Sequence, residues 1–169
     1  MTAKKSIKHY EYERGQSLTE LAVSLSLLFI LLAGVVDIGR AFFTYIALRD
    51  SAQEGAVYGS YYNSTGDTND TWCRIVDRVR FTSDKPFDFS DTTVSIKIGG
   101  NITQTFPNGA APGSPCPTLA TEPGAGDEII VSVTYDNFQI TMPFLGSLIG
   151  GQTISISASI RDTILSDSP

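Results

Sequence analysis

The chain has 169 residues, 41% hydrophobic and 18% charged, which is enough for one folded domain and an anchoring helix. Its net charge of −6 is unevenly placed: residues 1–15 carry four basic and two acidic side chains, so the remainder sums to −8. An acidic body does not replace phosphate counterions and argues against a nucleic-acid partner, while one histidine and two cysteines without a CxxC argue against a structural zinc site.

Taken in chain order, Lys4, Lys5, Lys8 and Arg14 outweigh Glu11 and Glu13, and this small basic start suits the cytoplasmic flank of a membrane helix. Leu18 to Val36 follows, 19 residues with one charge, Glu20. At 1.5 Å per residue the run spans about 28 Å, close to the roughly 30 Å of a bilayer core. It exceeds the apolar core of an ordinary secretory signal, and no clean small-x-small cleavage pattern follows it. Asp37, Gly39 and Arg40 come next, and helical composition continues without proline as far as residue 85. The sequence predicts one helix from about Ser17 to about Tyr58. Its first half is apolar all round; its second half is mixed and should pack on a soluble domain. Small residues recur there (Ala41, Thr44, Ala47, Ser51, Ala52, Gly55, Ala56, Gly59) and permit close approach of a neighbour. That neighbour is either a sheet of the same chain or a helix of another subunit. Glu20 is costly in hydrocarbon, on the order of 3 kcal/mol, unless it reaches the headgroup layer or finds a partner.

In 67–82, Trp72, Ile75, Val76 and Val79 fall at i, i+3, i+4 and i+7, the pattern of a short amphipathic helix, with Arg74, Asp77, Arg78 and Arg80 on its solvated face. Period-two alternation marks three strands: TTVSIKI with Val94, Ile96 and Ile98 on one face; EIIVSVTY with Ile129, Val131, Val133 and Tyr135; TISISASIRDTI with Ile154, Ile156, Ala158 and Ile160. NITQTF pairs with the first of these across GGN as a hairpin. Residues 106–126 are rich in proline and glycine and read as a surface loop. If the body is exported, a Cys73–Cys116 disulfide is the natural reading and contributes about 3–4 kcal/mol; the alternative is two reduced thiols. FQITMPFLGSLIGG breaks the alternation and is either a hairpin connection packed in the core or an exposed subunit contact. Asp84, Asp88 and Asp91 lie close together but lack the ordered ligand pattern of a calcium loop, and read as solvated acids. Sequons stand at Asn63, Asn69 and Asn101. No catalytic set, cofactor motif or metal cluster emerges, so the chain reads as a non-enzyme.

RGQSLTE resembles the processing site of type IV pilin-like precursors, in which a basic leader ends in glycine and a glutamate stands fifth in the mature chain. The wider stretch RGQSLTELAVSLSLLFILLAGVVDIGRAFFTYIALRDSAQEGAVYGS, with its DIGRAF and QEGA, resembles the TadE-like family of tight-adherence (Flp-type) pilus systems. DEIIVSVTYDNFQITMPFLGSLIGGQTISISASI resembles that family's last strands. Together the resemblance covers roughly the first 60 and last 45 residues. It implies a leader over 1–15, cleavage by a prepilin peptidase between Gly15 and Gln16, and a new amine at Gln16 that pairs with Glu20 of a neighbouring subunit. It also implies partners: copies of the chain or other pilins through the N-terminal helix, and the inner-membrane assembly machinery.

The expected architecture is α+β. A long helix over 16–60, membrane-spanning over 18–36, precedes an exported domain over 61–169, in which a short helix and an antiparallel sheet pack on the long helix's C-terminal half. The expected function is a pilin or minor pseudopilin that starts in the cytoplasmic membrane, N-terminus inside, and ends in a surface filament that supports adhesion. The competing expectation is a single-pass anchored protein whose exported domain binds a ligand or assists assembly without entering the filament.

Overall fold

The long helix α1 runs His9–Ser60 as 52 uninterrupted residues. Leucine and alanine dominate it, no proline breaks it, and a glycine in a helix interior costs only about 1 kcal/mol, so Gly15 does not end it. The helix therefore starts earlier than the sequence predicts, and the Gly15–Gln16 bond lies inside it. The computed structural model describes residues 9–61, 71–81, 88–100, 102–107, 123–142 and 150–165. Cys116, Asp84, the three sequon asparagines, most of the 106–126 loop and residues 143–149 of the apolar segment lie outside these.

From Asp37 onward α1 has two faces. Asp37, Thr44, Leu48, Ser51, Ala52, Gly55, Ala56 and Gly59 are buried, with Ala41 half-buried between them. These spacings of three, four and seven hold one stripe against the sheet. The small residues let the sheet and the second helix come close. A Cβ on Gly55 would stand 2.5 Å from Val79 Cγ2, and one on Gly59 would meet Ile129. The small-residue stripe is thus occupied within the chain.

The second helix α2 (Thr71–Phe81) buries Trp72, Cys73, Ile75, Val76 and Val79 against α1 and the sheet. A single 3-10 turn over Phe89–Asp91 leads into the sheet, and Thr92 donates to the Phe89 carbonyl to close it. The strands are β1 (Thr92–Ile98), β2 (Ile102–Phe106), β3 (Glu128–Gln139) and β4 (Thr153–Thr163), all antiparallel in the order β2-β1-β3-β4. β1 and β2 pair antiparallel, and Gly99 at φ 58° and Gly100 at φ 79°, backbone that favours glycine, follow β1. The register aligns the apolar alternation: Val94 faces Val133, Ile96 faces Val131, Val131 faces Ile160. α1 and α2 cover this face, and the fold is α+β with the sheet on the C-terminal half of α1, as the sequence predicts.

Two local features differ from the sequence reading. β3 continues past Tyr135 to Gln139, because a bulge absorbs the break in alternation: Tyr135 pairs with Ile156 and Phe138 with Ile154, one extra residue on β3. Arg80 is not part of a purely solvated face. It is half-buried and donates to the carbonyls of Thr92 (3.1 Å) and Pro107 (2.9 Å), tying α2 to the sheet's outer edge. Burial pulls its pKa down from the ordinary arginine value, and the Asp77 carboxylate opposes that pull.

Candidate functional site on the long helix

The helical segment beginning at Gly15 is long and apolar enough to cross a membrane, and its most apolar stretch is almost wholly exposed. Leu18, Leu21, Val23, Leu27, Phe29, Leu31 and Val35 are each at least 60% exposed. Apolar side chains at this exposure call for a non-aqueous surrounding, lipid or other helices.

Gly15, Gln16 and Glu20 lie on this exposed part of α1. Nothing within 4 Å would meet a Cβ at Gly15, so the bond after it is unobstructed by the rest of the described chain. Among the described residues Glu20 has no hydrogen-bond or ion-pair partner, whereas Thr19 beside it bonds back to the Gln16 carbonyl. A carboxylate at the edge of an apolar run, without a partner among the described residues, is available to one in another molecule.

Cys73 sits on α2, 5% exposed, and among the described residues there is no free thiol. Its expected partner, Cys116, lies outside the described residues.

The structure adds a junction that sequence reasoning missed. Asp37 is 6% exposed, at the first position of the sheet-facing stripe and directly after the apolar span. Its Oδ2 accepts the backbone N–H groups of Thr141 (2.9 Å) and Met142 (2.6 Å), more than a hundred residues away. Its Oδ1 faces Arg40 Nη1 at 3.5 Å, and the same Nη1 donates to Thr141 Oγ1 at 2.7 Å. Met142 lies against Gly34, where a Cβ would stand 3.5 Å from its sulfur. Arg40 also lies 5.4 Å over the Phe138 ring. A buried carboxylate must be satisfied, and here the chain leaving β3 supplies the donors. The start of the apolar FQITMPFLGSLIGG segment is thereby fastened to α1 where the apolar span ends. At the other end of the sheet, Leu165 N–H donates to the Ser60 carbonyl, so the domain lies along the whole second half of α1. The available signal was positional: Asp37, Ala41, Thr44 and Leu48 continue the small-residue stripe backwards, so an acid at 37 falls on the buried face.

Residues 15–57 match the TadE-like protein family. The TadE-like segment begins at Gly15 and takes in Gln16, Glu20, Asp37 and Arg40. No curated protein and no solved structure matches the chain. The match lies wholly within α1, whose segment from Gly15 is long and apolar enough to cross a membrane.

Proposed function

We propose that this chain is a structural subunit, a pilin or minor pseudopilin, of a tight-adherence pilus that supports surface attachment. The observation that carries the reading is an exposed apolar helix within the TadE-like segment, its acid at Glu20 without a partner among the described residues. Before assembly the helix sits in the cytoplasmic membrane with its N-terminus inside and the sheet domain outside. A prepilin peptidase cuts after Gly15 on the cytoplasmic side. The freed Gln16 amine, cationic below a pKa of about 8, pairs with Glu20 of a neighbouring copy. In a low-dielectric bundle two costly groups neutralise each other, and sliding the helices would leave both unpaired, so the pair sets axial register. The proposal assigns the chain no enzymatic activity, cofactor or metal. Its partners are pilins, the peptidase and the assembly machinery.

The test is Glu20→Ala in the native host. The variant is cut after Gly15 like the wild type but yields few or no sheared surface fibres. Normal fibre yield with normal processing would remove the pairing from the account.

A further inference from the structure

A groove of about 590 Å³ opens between α1 and the bulged end of β3, just beyond the apolar span. Arg40 and Thr44 line it from the helix, Asn137 and Gln139 from β3, with Phe43 and Phe138 as apolar walls. Arg40 stands four residues past Val36, about 6 Å along the axis. The polar layer on each side of a bilayer core is about 5–7 Å thick, so Arg40 lies at the level of lipid phosphates when Leu18–Val36 spans the core.

The chemistry at that level suits an anion. The Arg40 side chain is 50% exposed. Its Nη1 is engaged by Thr141 and Asp37, while Nε and Nη2 have no hydrogen-bond partner among the described residues. Asp37, its Oδ2 held by two backbone amides and its Oδ1 3.5 Å from Nη1, makes the pair formally neutral, so anion recognition here rests on the Arg40 Nε and Nη2 donors. A guanidinium fork with free donors matches phosphate oxygens, and the Phe138 ring lies 5.4 Å from its carbon. The amides of Asn137 and Gln139 and the Thr44 hydroxyl are neutral donors beside it. Phe43, 67% exposed, stands about 4.5 Å farther from the apolar span than Arg40 and offers an aromatic surface at the headgroup boundary.

We infer that this groove binds the phosphate of a membrane phospholipid in the outward-facing leaflet, with Arg40 as the anion-recognising residue. The inference rests on α1 spanning the bilayer. Lipid capture there fixes the depth of the subunit before assembly, and entry into a filament requires its release.

Native mass spectrometry of the full-length protein in mild detergent tests this with three probes: phosphatidylglycerol, diacylglycerol of the same chains, and inorganic phosphate. The wild type takes one phosphatidylglycerol and binds diacylglycerol at least about tenfold less well, the difference expected for charge-assisted contacts. Arg40→Gln loses that preference and Arg40→Lys keeps part of it. Inorganic phosphate in excess does not displace the lipid. Equal binding of the two lipids by the wild type, a result independent of any variant's folding, overturns the inference. So does displacement by inorganic phosphate, which would indicate a site for a free anion. Alkaline extraction of native membranes separates the two ways of failing. Protein released by alkali means that α1 does not span, and both readings fall; protein retained, with equal lipid binding, removes only the groove.

Discussion

Replacing Asp37 by alanine strips the junction between the apolar span and the sheet of its central acceptor. Hydrogen bonds to a charged group contribute about 1.5–3 kcal/mol each, and Asp37 accepts two from backbone amides at 2.9 and 2.6 Å. The contacts are only partly buried, so water recovers some of the loss, and a cost of about 2–4 kcal/mol for keeping 140–142 on the helix follows. At 1.4 kcal/mol per factor of ten, the local opening equilibrium rises on the order of a hundredfold. Hydrogen exchange of the full-length protein in detergent, followed on peptides covering 138–142, reads this directly. Asp37→Ala should accelerate exchange there while the β1–β2 hairpin, whose pairing does not depend on Asp37, keeps its protection. Asp37→Asn retains one carbonyl oxygen without the charge and should fall between the two. Equal exchange at 138–142 in wild type and Asp37→Ala would refute the junction as a stabilising contact.

Gly55→Ala should destabilise the domain by about 1–3 kcal/mol despite alanine's better helix propensity, because the new methyl meets the buried, β-branched Val79. Gly59→Ala should cost less, since the atom in its way is the terminal methyl of Ile129, which can rotate; denaturant midpoints in detergent compare the two, and equal midpoints for both variants and the wild type would show that the stripe is not packed closely. Protein from native membranes should carry Cys73 and Cys116 as a disulfide, seen as a peptide pair joined only without reductant, and Cys73→Ser should lower stability by about 2–5 kcal/mol. Recovery of both thiols free would return the chain to the reduced alternative.

The strands and α2 were legible because their signals are local. Val94, Ile96 and Ile98 alternate within seven residues, and Trp72, Ile75, Val76 and Val79 repeat at helical spacing, so burial of one face follows from periodicity. The stripe of small residues on α1 was legible as a packing surface but not as to its neighbour: Ala52 and Gly55 would suit a helix of another subunit as well as Val79 and Val131 of this one. The end of β3 was not legible, because a bulge at Asp136–Asn137 destroys the alternation by which a strand is recognised, although the pairing resumes at Phe138. Asp37 was missed for a different reason. Its partners are backbone N–H groups of Thr141 and Met142, which leave no trace in residue type, and the contact joins positions 104 and 105 apart. Likewise Arg80 belonged to a helix face that looked solvated, and the carbonyls it binds come from β1 and from the residue after β2. For Glu20 the fold supplies no partner among the described residues, and the partner proposed for it arises only after cleavage.

Cleavage is therefore where the account is most exposed. Intact-mass measurement of the protein from sheared surface fibres tests it directly. The account predicts a species beginning at Gln16 in the fibre fraction and the uncut chain confined to the membrane of cells lacking the prepilin peptidase. Protein that retains residues 1–15 and is found only in the membrane fraction of wild-type cells would contradict it and favour an anchored protein that never enters a filament.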